Sequence, residues 1–346
     1  MVEQSVMFGA LRLVIFFLVL SGLSGCYVSR LAWHQGKLLG SRRDVSEVVL
    51  DPSTPASVKS RLQELPGILA FAKSCGLEPG NSYGRYIDNG DRPLSWLVYA
   101  AKPDRLESVT WWFPFSGRVP YLGFFSKEER DEEEAGLKSK GYDTAKGSAT
   151  AFSMLGIIDD PIYRSMTRRS RDEFAHVIFH ELVHRTVWVK GSADFNERLA
   201  EIFARRVTLA WLDSIHIDHG DNHDKINFLA DLEDRRKFGV WLTALRSELE
   251  VIYKSGRAAD EILRMKGEVF TDFTRNRRPK FVGADIIGGR AWNNAEVLAA
   301  GLYDGNDFPC PPEPAIPEPA KALMVWLRTN KNSEIATVET LRKVCL

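Results

Sequence analysis

Two histidines flanking a glutamate, His180-Glu181-Leu182-Val183-His184, are the residues best able to do chemistry in this chain. In a helix of 3.6 residues per turn the two imidazoles leave the same side one turn apart, with Glu181 beside them. Imidazoles at that separation can share one zinc ion, and Glu181 can then take a proton from the attacking water without being a ligand. A catalytic zinc needs a third protein ligand and an open position. Asn196-Glu197-Arg198-Leu199-Ala200-Glu201 supplies the carboxylate, because Glu197 lies thirteen positions beyond His184. The stretch Val189 to Ala193, with Gly191, is long enough for two helices to fold back on each other. Glu201, one turn on, faces the same way and suits a supporting role, accepting the outer N–H of His180 or His184 so that the other nitrogen is held on the metal. Asn196 is grouped with it in that role.

These side chains need two helices to position them. Ser170 with Glu173 has the form of a capping box, and Phe174, Val177, Ile178 and Leu182 supply an apolar face, so a helix is predicted over Arg171 to Trp188. A second runs from an Asp194 cap to Trp211. The bare motif arises by chance in on the order of one chain in a hundred of this length, so the helical context and the downstream glutamates carry the weight. The competing reading is two histidines packed on an amphipathic face. His176, one turn before His180, reads as a packed or water-bonded histidine. His216, His219 and His223, interleaved with Asp218, Asp221 and Asp224, read as a polar loop rather than a second metal site.

Upstream, Val58 to Cys75 has apolar residues at helical spacing, with Pro66-Gly67 expected to kink or split it and Gly76 to stop it. Trp96 to Ala100, Val109 to Phe115, Val119 to Phe125 and Ala149 to Ile158 read as strands. Lys127 to Lys140 reads as a solvated connecting helix. Downstream, Lys225 to Tyr253 and Ala258 to Phe273 form a helix pair, and Asp307 to Pro319, with six prolines, is expected to be extended. The fold class is α+β: a small, mostly antiparallel sheet packed on the metal-binding helix pair, then a mainly helical C-terminal half.

The chain has 346 residues, 44% hydrophobic and 27% charged, the composition of a globular protein, and its formal net charge of zero gives no sign of a nucleic-acid partner. Leu11 to Leu23 is an apolar run with Arg12 near its start. It falls short of the roughly 20 residues of a spanning helix and ends in Leu23-Ser24-Gly25-Cys26, as an export signal would. The alternative is an uncleaved anchor helix with an incidental cysteine. Residues 1–25 are thus read as a signal peptide and 26–346 as a single domain, with a sheet-bearing part to 160 and the metal-binding helices and helical part from 161. Cys310 and Cys345 could form a disulfide across the tail, leaving Cys75 alone; three buried thiols are the alternative.

The tetrad ending at Cys26 resembles the bacterial lipobox, which implies a diacylglyceryl group on Cys26. With Tyr27 next, it also implies sorting to the periplasmic face of the outer membrane in the cell envelope. The stretch from Phe179 to Ala204 resembles the predicted aminopeptidase family of bacterial lipoproteins, a gluzincin-like group distantly similar to thermolysin. Trp112-Phe113-Pro114, Val119-Pro120-Tyr121, Ala151-Phe152-Ser153-Met154-Leu155-Gly156, Asp159-Asp160-Pro161, Asn81-Ser82-Tyr83 and Trp292-Asn293-Asn294-Ala295 agree with it. The resemblance runs to about Tyr303 and leaves out the Pro-rich tail.

It implies one zinc per chain on His180, His184 and Glu197, with Glu201 behind them, and hydrolysis of a peptide substrate with Glu181 as general base. Tyr303, Tyr121 and Tyr83 are candidates to stabilise the oxyanion. Asp159 or Asp160 could meet a substrate ammonium, and Ala149 to Gly156 could guide the peptide, although the aminopeptidase label rests on resemblance alone. The rival function is a non-catalytic envelope lipoprotein, a binding or assembly module. The oligomeric state is not legible.

Overall fold

A computed structural model describes residues 40–90, 92–113, 117–149, 159–216, 223–283, 285–302 and 317–330. Short strands alternate with helices as far as Tyr163, and the remainder is helical, which is the mixed α+β arrangement the sequence predicts. In chain order the elements begin with β1 (Arg43–Asp44), α1 (Val45–Leu50), α2 (Ala56–Ser74), β2 (Arg85–Ile87), β3 (Ser95–Ala101), β4 (Trp111–Phe113) and β5 (Gly117–Val119). There follow β6 (Tyr121–Phe124), α3 (Lys127–Ser139), β7 (Asp143–Ala149), β8 (Ile162–Tyr163) and a 3-10 turn (Arg164–Arg168). The helical half comprises α4 (Arg171–Thr186), α5 (Ala193–His216), α6 (His223–Tyr253), α7 (Ala259–Arg275), α8 (Asn294–Leu302) and α9 (Pro317–Thr329). No described helix is long and apolar enough to cross a membrane.

The described strands form three small sheets. β3 is central in an antiparallel sheet of order β6-β3-β7, β2 lies between β1 and a parallel β8, and β4 and β5 make a hairpin. Pro120 falls between β5 and β6, and those two strands go to different sheets. β7 was not predicted. Its Asp-Thr-Ala-Lys-Gly-Ser-Ala sequence is poor in β-branched and aromatic residues, yet it pairs with β3 along its whole length, from Asp143 opposite Ala101 to Ala149 opposite Ser95. Tertiary pairing outweighs propensity there. Of the strand predicted over Ala149 to Ile158, only Ala149 is described at its start, and residues 150–158 lie outside the described residues.

Two further expectations are corrected. Helix α3 is not a solvated connector: Arg130, Glu134 and Leu137 are buried, the Arg130 guanidinium lies 5.4 Å from the Trp96 ring centroid, and Glu134 accepts from Thr144 Oγ1 at 3.0 Å. Helix α2 passes through Pro66 unbroken, its Val58, Leu62, Leu65, Ile68 and Ala72 buried in the core. It stops at Gly76, whose N–H donates to Lys73 O while Leu77 N–H donates to Ala72 O, each at 3.0 Å. This Schellman closure needs the left-handed φ of +83° at Gly76. A Cβ there would stand 2.7 Å from Lys321 Cα, so glycine also lets α9 approach. Pro317 opens α9, where its missing N–H has no intrahelical partner to lose, so the proline segment is not extended to its end. Cys310 and Cys345 lie outside the described residues.

The C-terminal half closes on a cluster of Phe238, Trp241, Leu245, Phe273, Ile287, Trp292 and Val297. Asp143 on β7 joins it to the central sheet by accepting from Lys266 and, at 2.9 Å, from Asn294 N–H.

Candidate metal centre

Helix α4 has Asp172 and Glu173 in its first turn and His184 and Arg185 in its last, the charge order a helix dipole favours. Phe174, Ile178 and Leu182 are buried, as are Ala175, Phe179 and Val183, so the helix is held on two adjoining stripes. Ser170 occupies the N-cap but its side chain makes no cap hydrogen bond, so the predicted capping box does not form. At the other end Thr186 Oγ1 donates to Leu182 O at 2.6 Å and accepts Glu78 N–H at 3.0 Å, tying α4 to the loop after α2.

The connection to α5 is fixed by Asn196. Its Oδ1 accepts Val189 N–H at 2.9 Å and its Nδ2 donates to Val189 O at 2.8 Å. Asn196 therefore sets where the second helix starts and bonds the connection rather than a metal donor, a correction to its predicted role. α5 begins at Ala193, which places Asp194 inside the helix instead of at its cap.

This arrangement brings three donor atoms together. His180 Nε2 and His184 Nε2 are 3.1 Å apart, and Glu197 Oε2 lies 3.3 Å from the first and 3.5 Å from the second. Ligands at about 2.0–2.2 Å from a tetrahedral zinc are separated by about 3.3–3.6 Å, so the triangle has the size of one face of such a site. Glu201 stands behind it. Its Oε2 is 3.5 Å from His180 Nδ1 and 3.2 Å from His176 Nε2, and its Oε1 accepts from Arg205 Nε at 2.8 Å. His176, Thr208 and Arg205 thereby extend the cluster; Arg205 at i+4 from Glu201 was legible in the sequence, whereas the His176 contact depends on how the two helices meet.

His176, His180 and Glu201 form a second group with ligand spacing. The Arg205 guanidinium bound to Glu201 makes that group the poorer place for a cation.

Electrostatics follow the same division. Burial opposes charge on His180, but hydrogen bonds to Glu197 and Glu201 outweigh it, and its pKa is pushed up to about 10 in the metal-free site. Burial would raise Glu197, yet the charge of His184 and its bond to His180 hold it well below the usual carboxylate range. Glu201 is lowered against burial by Arg205 and His176. Glu181 moves the other way, raised by burial and by the charges of Glu197 and Asp160 against the pull of the two histidines.

The remaining candidates are dispersed. Tyr83 is buried, its hydroxyl without a hydrogen-bond partner among the described residues, and within electrostatic reach of Glu181. Asp160 is buried beside Ser82, and Asp159 pairs with Arg185 at 3.1 Å. Tyr121 lies in the central sheet, its ring edge-on to Tyr99 at 5.8 Å. His223 opens α6, and Asp224 pairs with Arg171. Cys26, Tyr303, Asp218, His219 and Asp221 lie outside the described residues.

Fold and cluster together define an α+β protein whose candidate centre is an HExxH helix completed by glutamates of the next helix. The chain belongs to the family described as "Putative aminopeptidase", whose model matches residues 26–308. No curated protein and no solved structure matches it. Helix α9 lies beyond the matched segment.

Proposed function

We propose that this protein is a zinc metallopeptidase of gluzincin type that removes N-terminal residues from peptides. The observation that carries the reading is the triangle of His180 Nε2, His184 Nε2 and Glu197 Oε2, with sides of 3.1 to 3.5 Å, next to a glutamate that none of the three needs as a ligand. Those three residues would hold the ion. Three protein donors would leave the fourth position of a tetrahedral zinc for water or substrate.

When bound, zinc polarises the scissile carbonyl and lowers the pKa of a water to about 7. Glu181 would then accept a proton from the attacking water and return it to the amine nitrogen as the C–N bond breaks. Glu201, fixed by Arg205 and 3.5 Å from His180 Nδ1, would orient that imidazole with its Nε2 left for the ion. Asp160, buried near Glu181, and Asp159, paired with Arg185, are the acidic groups assigned to meet a substrate ammonium. The lipobox-like tetrad supports attachment through a lipid on Cys26 to the envelope, at the periplasmic face of the outer membrane; mass analysis of the mature N-terminus tests it.

Metal analysis with digestion of a peptide library tests the enzymatic reading. One zinc per chain and cleavage of exposed N-termini are expected. Glu181→Gln should keep the zinc and lose ~10² to 10⁴-fold in kcat. A wild type with neither zinc nor peptide cleavage would return the protein to a non-catalytic binding or assembly role, and a Glu181→Gln variant as active as wild type would remove Glu181 as the general base.

A further inference from the structure

His176 precedes His180 by one helical turn, so the two imidazoles leave α4 on the same side. It is not one of the three candidate donors, and packing alone would account for a histidine at that place. Its contacts, however, are polar at both ring nitrogens. Nε2 is 3.2 Å from Glu201 Oε2, and Nδ1 is 3.4 Å from Thr208 Oγ1. Glu201 and Thr208 stand about two turns apart on one face of α5, and Phe228 of α6 packs against the ring at a centroid distance of 5.6 Å. With the Nε2 proton directed at the carboxylate, Nδ1 of a neutral ring accepts from the buried Thr208 hydroxyl. Side chains from α5 and α6 thus fix one orientation of this imidazole on α4.

The consequence falls on Glu201. Its Oε1 accepts from Arg205 Nε at 2.8 Å, but rotation about the bond that carries a glutamate carboxyl group is soft, so one bonded oxygen does not say where the other points. His176 supplies the second point. Glu201 Oε2 is 3.5 Å from His180 Nδ1, longer than the about 2.7–3.2 Å of a full N–H···O bond, whereas its distance from His176 lies within that range. The carboxylate is therefore held by His176 and Arg205 and presented to His180. Glu201 is buried, so solvent does not supply a substitute for either contact.

We propose that His176 is a positioning residue of the metal centre that acts through Glu201. Its Nε2 proton keeps Oε2 where that oxygen can accept the outer N–H of His180, so that His180 Nε2 stays in the donor triangle with His184 and Glu197. The proposal rests on the zinc reading above. Zinc centres commonly place a carboxylate behind a ligand histidine; here a further histidine stands behind the carboxylate. The other use of the same atoms is a second ion on His176, His180 and Glu201, which the Arg205 guanidinium on Glu201 opposes.

Zinc affinity, read by competition with a chelator, tests the proposal. His176→Phe keeps a ring against Phe228 and loses both nitrogens, and it should bind zinc ~10-fold more weakly. His176→Gln, whose amide N–H can replace that of Nε2, should stay within about threefold of wild type. Placed in a Glu201→Ala protein, His176→Phe should change zinc affinity by less than about twofold, because no carboxylate is left to position. A residue that merely supports the fold would cost the same factor with and without Glu201 and would gain nothing from glutamine. Should His176→Phe fail to fold, Thr208→Val, which frees the ring from behind, carries the same cycle with a loss of about threefold expected. Wild-type zinc affinity in His176→Phe, equal losses in the two backgrounds, or two ions per chain falling to one in His176→Phe would overturn the proposal alone. A wild type that takes up no zinc would overturn the zinc reading and the proposal with it.

Discussion

Glu197 and Glu201, one turn apart on one helix, address opposite nitrogens of the same imidazole. Glu197 Oε2 is 3.3 Å from His180 Nε2, and Glu201 Oε2 is 3.5 Å from its Nδ1. The two carboxylates therefore predict different losses. Glu197→Gln removes one donor of three and should leave a protein nearly free of zinc. Glu201→Gln keeps all three donors and should bind zinc ~10 to 100-fold more weakly. Metal titration of both variants reads the difference, and exchanged phenotypes would make Glu201 the ligand.

Zinc uptake should also depend on pH. In the metal-free protein His180 titrates at about 10 rather than 6.5, raised by its carboxylate partners against burial. A raised folded-state pKa means that its charged form stabilises the metal-free fold fully below about 6.5, and that this contribution disappears as pH rises through about 10. Zinc has to displace the same proton. Apparent affinity should therefore climb about tenfold per pH unit between about pH 7 and 9, with about one proton released per ion. Calorimetry in buffers of different ionisation enthalpy counts the proton; none released would mean that His180 is already neutral.

A third expectation concerns Asn196, which is 1% exposed and satisfies both backbone groups of Val189. Asn196→Ala strands the buried Val189 N–H, while Val189 O keeps the Ser192 N–H at 3.2 Å, and should destabilise the metal-free protein by about 1–3 kcal/mol in urea unfolding. Zinc affinity should fall as well, because the connection sets where Glu197 sits. Unchanged stability would mean that water replaces the amide at Val189.

Much of this centre was readable from residue order, because its parts are helical and a helix converts spacing into direction. His180 and His184 at i and i+4, and Glu197 and Glu201 at the same interval, had to share faces once the two apolar stripes were recognised. Which nitrogen each glutamate meets was not readable, since it depends on the crossing of α4 and α5. Tyr83 was one of three tyrosines that spacing could not rank, and its nearness to Glu181 depends on the path of a loop that leaves no trace in sequence. β7 escaped for another reason: its residues have little intrinsic preference for a strand, and only β3 beside them makes one. Arg130 and Glu134 looked like solvent residues because charge patterning does not reveal that Trp96, Thr144 and Lys146 wait opposite them.

Gly76 carries a consequence for where this protein can be cut. The close approach of Lys321 at that glycine, with Met324 and Leu327 buried, seats α9 against the end of α2. Arg328 on the same helix pairs with Glu78, the residue whose carbonyl holds Arg185. The family segment stops at residue 308, so inherited similarity and the folded body end at different places. A fragment trimmed to the family boundary would keep His180, Glu181, His184 and Glu197, yet lose the outer support of the loop that reaches from Glu78 to Tyr83.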